Sequence, residues 1–93
     1  MVVGIVRFEL HVPGARSLKD KRQVVRSIRD RIVERVRASV AEVEHQDLWQ
    51  RAAIGVAVVA PDGGRVREQL DGVRRIVESH PEAVLIDWQE RVE

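Results

Sequence analysis

Residues 50–60, QRAAIGVAVVA, place the centre of the fold. Ile54, Val56 and Val58 alternate as one bulky face, while Ala53, Gly55, Ala57 and Val59 make the other face apolar but nearly bare of bulk. A strand that is apolar on both sides belongs in the middle of a sheet. Just upstream, residues 39–46 (SVAEVEHQ) read as a second strand, with Ala41 and Val43 inward and Glu42 and Glu44 outward. Asp47-Leu48-Trp49 is then a hairpin connection between the two. Downstream, Pro61-Asp62-Gly63-Gly64 is a turn, and Asp62 is suited to cap a helix that runs to about Ser79. Val66, Leu70, Val73 and Val77 form its inward stripe, and His80-Pro81 ends it. The last strand, residues 83–92 (AVLIDWQERV), is expected to carry Val84, Ile86 and Trp88 on one face.

The first third completes the pattern. Residues 2–12 (VVGIVRFELHV) alternate Val6, Phe8, Leu10 and Val12 against Arg7, Glu9 and His11, which is a half-buried strand, and Pro13-Gly14 breaks it. Ser17, with Asp20 three residues on, starts a helix in a variant of the capping box. Leu18, Val25, Ile28, Ile32 and Val36 then recur at the helical period up to about Arg37. The element order is βαββαβ. Two crossover helices covering one face of a four-stranded antiparallel sheet give an α+β ferredoxin-like two-layer sandwich. Its expected strand order is 4-1-3-2, with residues 1–93 forming one domain.

Composition bounds the function. Hydrophobic residues make up 44% and charged residues 33%, which suits a globular chain. There is no cysteine, so disulfide, thiol and thiolate-metal chemistry are excluded. No apolar run approaches the roughly 20 residues of a membrane span. No basic leader precedes the first strand, so a cytoplasmic location is expected. The absence of Asn, Thr and Tyr, with fourteen Arg against two Lys, fits heat adaptation; a GC-rich genome would leave the same mark.

Charge is strongly uneven. Between Arg16 and Arg37 nine basic residues face three acidic ones, a net +6 in a chain whose formal net charge is +1. Lys19, Arg22, Arg26 and Arg29 line one stripe of the helix, with Arg16 and Lys21 beside its start. These six residues are the candidate anion or nucleic-acid surface, because rows of cations attract phosphate backbones. The alternative is a solvated helix face. Arg31 and Arg35 flank the apolar stripe on its other side, where their stems cover the core edge. Gly14 to Ser17, ahead of a helix start, is a second place for a phosphate.

Leu48 and Trp49 are the candidate interface residues, with Trp49 suited to an interface, a clamp over its own core or, behind these, base stacking. The open sheet face offers Arg7, Glu9, His11, Gly55, Ala57 and Val59 but no aromatic, which disfavours base stacking there and leaves room for a homodimer. His11, His45 and His80 stand on different elements, so no metal site and no cofactor are expected, and the four serines show no nucleophile context. No DNA-binding motif is evident.

Ser17-Leu18-Lys19-x-Lys21-Arg22 at the helix start forms one recognisable stretch. Ser39-Val40-Ala41-Glu42-Val43-x-x-Gln46-Asp47-Leu48-Trp49-Gln50-Arg51-Ala52, running into Ile54-Gly55-Val56-Ala57, forms a second. Together they resemble the bacterial YlxP-like family, small proteins of unknown function, and the likeness extends over essentially the whole chain. The resemblance implies a ferredoxin-like fold and a gene neighbourhood shared with translation-initiation and ribosome-maturation factors. It implies no activity and transfers no catalytic residue. The reading that results is a non-enzymatic accessory protein that meets RNA or a ribosomal subunit through the first helix. The alternative is a protein-interaction module or homodimer working through the sheet face and Trp49.

Overall fold

The computed structural model describes residues 1–93. The elements are β1 (Val2–His11), α1 (Leu18–Val36), β2 (Ser39–Glu44), β3 (Arg51–Ala60), α2 (Gly63–Glu78) and β4 (Val84–Val92). The strands form one antiparallel sheet in the order β2-β3-β1-β4, which is the expected order read from the other edge. β1 and β3 pair over their full length, from Val2↔Ala60 to His11↔Arg51. Both helices cover one sheet face, and a single cluster of 20 buried side chains fills the layer between. Phe8, Leu10, Ile28, Ile32 and Ile54 are fully enclosed in it. Each such side chain contributes about 1.5–3 kcal/mol through burial.

Local chemistry sets the helix limits. The Ser17 hydroxyl accepts from the Asp20 backbone N–H at 3.1 Å, while the Asp20 carboxylate reaches one residue past the cap and accepts from the Arg16 N–H at 3.0 Å instead of the Ser17 N–H of a capping box. Asp62 caps α2 by accepting from the Arg65 N–H at 2.9 Å. α1 ends on Arg37 in the left-handed conformation, φ 55° and ψ 56°. Gly4 sits where α2 comes closest to β1: a Cβ there would collide with Val66 Cγ1 and stand 3.1 Å from Leu70 Cδ1.

Both edge strands depart from the expected alternation. In β2, Val40 and Glu42 lie opposite the core-facing Val56 and Ile54, and Ala41 lies opposite Gly55 on the open face. Ala41 and Glu42 are therefore exchanged relative to the expected faces, whereas Glu44, paired with Ala53 beyond a bulge, lies outward as expected. A bulge between Glu42 and Glu44 leaves Val43 as the extra residue, and its Cγ1 leans over Gly55. In β4, Leu85 and Trp88 face Leu10 and Phe8 across a bulge at Ile86, so the expected shared face of Val84, Ile86 and Trp88 is broken, and Val84 and Ile86 are exposed. Trp88 stacks on Phe8 at 5.5 Å between ring centroids, and Arg74 lies 5.2 Å over its ring.

Candidate functional site

α1 carries basic residues on most of its circumference, and the structure sorts them into three environments. The buried line is Lys21, Val24, Ile28, Ile32 and Val36, with Val24 deeper than Val25. Lys21 therefore leaves the outer stripe. It is in phase with the core, 0% exposed, and its Nζ lies 2.9 Å from Glu42 Oε2. The same ammonium donates to the backbone carbonyls of His45 at 2.7 Å and Gln46 at 3.4 Å. An ammonium has three protons and no acceptor. Two hydrogen bonds to carbonyls and an ion pair with Glu42, whose buried Oε2 accepts no hydrogen bond, let Lys21 hold the β2–β3 connection against the start of α1.

Gln50 strengthens the same junction. Its side-chain amide donates to the carbonyls of Pro13 at 3.2 Å and Ala15 at 3.1 Å, and its backbone carbonyl accepts from the Val12 N–H at 2.9 Å. The turn is further shaped by His45, which has φ 63° and whose carbonyl accepts from the Leu48 N–H at 3.0 Å. The N-terminus of α1 already holds an anion, the Asp20 carboxylate. Of the Gly14–Ser17 loop, the N–H groups of Ala15 and Arg16 are thus taken by the Val12 carbonyl and the Asp20 carboxylate.

On the open sheet face β1 and the β2–β3 connection meet in an ionic cluster. Glu9 Oε1 lies 2.8 Å from His45 Nε2, 3.2 Å from Arg51 and 3.8 Å from Arg7, and Arg7 reaches Glu44 at 3.1 Å. The hydrogen bond from His45 holds the Glu9 carboxyl below the usual carboxylate range; Arg51 and Arg7 act in the same direction and desolvation opposes them. Ala53, opposite both Glu9 and Glu44, is fully buried although it belongs to this face. Beyond the cluster the face becomes apolar, with a concavity of about 740 Å³ that includes Ile5, Val43, Gly55 and Ala57.

The outer stripe of α1 is a second environment. Lys19, Arg22, Arg26 and Arg29 are exposed on the helix and Arg16 on the loop before it. No carboxylate lies within ion-pair distance of Arg16, Lys19, Arg22 or Arg26, and Arg29 meets only its neighbour Asp30, at 3.4 Å. Leu48 and Trp49 project from the β2–β3 connection, 44% and 55% exposed. With more than half of its surface open, Trp49 is no clamp over the core.

Two pairs of polar groups have the composition of catalytic dyads. His80 Nδ1 accepts from the Glu82 N–H at 3.2 Å, so in the neutral ring Nε2 carries the proton and donates to Ser27 Oγ at 3.3 Å. That is the reverse of what a general base for the serine requires. The Glu9–His45 pair has two guanidiniums and no nucleophile beside it. His11, His45 and His80 form no cluster of three metal-ligating side chains with Asp or Glu. No helix is long and apolar enough to cross a membrane.

Residues 3–90 match the family described as DUF503, protein of unknown function. The chain belongs to this family. Within reach of the DUF503 pattern is the uncharacterized protein YlxP of Bacillus subtilis (strain 168), 32% identical over 81 residues, covering 87% of this chain and 88% of that one. Among solved structures, the de novo designed protein LFR1 1 with ferredoxin fold superposes with a TM-score of 0.64 at 16% identity, over 100% of this chain and 88% of the design. The designed protein Foldit4 follows at 0.53 and 11%, over 99% and 94%. These designs support the fold of the DUF503 chain and carry no activity to it.

Charge counting along the sequence missed the burial of Lys21, although its place in register with Val24, Ile28 and Ile32 was the available signal. It also missed the Glu9 cluster, whose bonded pairs join residues up to 42 positions apart.

Proposed function

We propose that this protein is a non-enzymatic accessory factor that binds RNA, including that of a ribosomal subunit, through the outer face of α1. The observation that carries the reading is the absence of ion-pair partners along Arg16, Lys19, Arg22 and Arg26. These cations keep their charge for an external polyanion. From Lys19 to Arg29 the stripe runs about 15 Å along the helix at 1.5 Å per residue. Five cations neutralising five phosphates of a single strand would give a log–log salt slope of about −3.5. Lys21 and Gln50, the polar residues of the family-matching stretches with the most fold-holding bonds, are engaged by the chain's own carbonyls, and no nucleophile with a base stands beside the stripe, which favours a binding role over catalysis. The gene neighbourhood implied by the resemblance points the same way by association.

The test is binding to small ribosomal subunits and to a generic RNA across a salt series, with Arg22, Arg26 and Arg29 each changed to Glu. Binding is expected to be lost in the variant, and subunit binding is expected to outlast generic RNA binding as salt rises. Undiminished binding by the variant refutes the reading.

A second reading rests on the apolar concavity between Ile5 and Val43 and on the exposure of Trp49. In this reading the open face pairs with a second copy of the chain. Sedimentation at micromolar concentration decides it: a monomer rules it out.

A further inference from the structure

The third environment of α1 lies on its inner flank, facing α2. Arg31 and Arg35 on α1, Arg37 at its end and Arg75 in the last turn of α2 line a groove of about 700 Å³ between the helices. Glu68 is the one carboxylate on its wall, and no ion pair joins it to any of the four guanidiniums. The groove is therefore net positive by three charges at neutral pH, without internal compensation. Val36 and Ile76 supply apolar floor, and Gln69, whose side-chain oxygen is buried without a donor, is the neutral hydrogen-bonding group beside them.

Helix ends attract cations, and this accounts for Arg35 and Arg75, each in a last turn. It does not account for Arg31, one turn further back, whose like charge four residues from Arg35 opposes helix formation. Nor does it account for Arg37. The left-handed position that ends a helix is one glycine fills at no steric cost, and a side chain there is strained. The chain places an arginine at φ 55° and so keeps a fourth guanidinium on the groove.

We propose that this inter-helix groove is a binding site for a compact anion carrying two adjacent phosphates, either free pyrophosphate or the diphosphate of a nucleotide. Guanidiniums bind phosphate oxygens in bidentate fashion, and a diphosphate presents enough oxygens for several at once. The site lies on the flank of α1 opposite the outer stripe and does not depend on the RNA reading.

The experiment is an amide-resolved NMR titration of the full chain at low salt with pyrophosphate, orthophosphate and ADP. Saturable pyrophosphate binding is expected, at least tenfold tighter than orthophosphate, with shifts concentrated in residues 31–37 and 68–79. ADP binding tighter than pyrophosphate assigns a nucleotide; equal or weaker binding assigns the free anion. The double variant Arg35→Gln/Arg75→Gln should weaken binding at least tenfold, while Arg22→Gln/Arg26→Gln leaves it unchanged. Arg37→Gly should raise the melting temperature and yet weaken binding several-fold, a combination that a purely structural arginine would not give. Should the double variant fail to fold, the shift map and Arg37→Gly decide. Unsaturable binding, shifts spread over every basic residue, equal weakening by the Arg22/Arg26 variant, or loss of RNA binding alone from the groove variants would each overturn the proposal.

Discussion

The junction where α1 begins and the groove where it ends are both built around basic side chains, and they treat them in opposite ways. At the junction Lys21 is enclosed, faces Glu42 and donates to two carbonyls, while Glu9 gathers His45, Arg51 and Arg7. At the groove Arg31, Arg35, Arg37 and Arg75 have no carboxylate partner. A count of cations along the chain treats the two alike. What separates them is whether the fold brings an acceptor to the charge, since a buried ammonium without one is prohibitively costly whereas an exposed guanidinium keeps its water.

Substitutions at neighbouring positions should expose that difference most sharply. Lys21→Ala leaves Glu42 without its counter-ion and two carbonyls without their donor. Because Glu42 keeps 18% of its side chain in water, the lower part of the range for broken buried pairs applies, a loss of about 3 kcal/mol by urea denaturation. Arg22→Ala, one residue on and exposed, should stay within about 0.5 kcal/mol of the parent. Equal losses would erase the distinction between junction and stripe. Gln50→Ala removes two bonds to carbonyls at the junction and should cost about 1 kcal/mol in the same assay.

At the other end, Gly72→Ala should be stabilising. A Cβ there would make ordinary contacts, 3.7 Å from Val36 and 3.8 Å from Arg75, and helix propensity alone favours alanine by about 0.8 kcal/mol. For a domain of this size that gain raises the melting temperature by about 3–6 °C. A fall would mean the groove wall is less open than its geometry implies.

The smallest effect concerns pH. The Glu9 carboxyl titrates below its ordinary 4.5 in the folded protein, so the stability it supplies is complete above that value and is lost as pH falls through the lowered one. Glu9→Gln should therefore melt below the parent at pH 7, with the gap closing under pH 4.5. A gap that stays constant between pH 7 and pH 3 would mean that the charge of Glu9 has no role in the cluster.

Much of the architecture is legible from periodicity. The alternation through Val6, Phe8 and Leu10 and the helical recurrence of Ile28, Ile32 and Val36 place both layers, and the double-sided apolarity of β3 places it beside β1 at the sheet centre. The edge strands read less well, because one inserted residue, Val43 or Ile86, reverses which side chains face the core, and nothing in composition marks the insertion. Partnerships across the chain are harder still. Lys21 and Glu42 look like two solvated charges until the fold sets them 2.9 Å apart, and the groove needs Arg75 from a helix 40 residues beyond Arg35.

The two bulges also bear on how molecules meet in a crowded solution. β2 and β4 are the only strands with an unpaired side, and each has its ladder interrupted, between Glu42 and Glu44 in one and around Ile86 in the other. A strand from another molecule laid along either edge would lose register at the bulge, after residues 39–42 of β2 or before residues 87–92 of β4. Each bulge thus limits the length of regular edge open to sideways growth of the sheet.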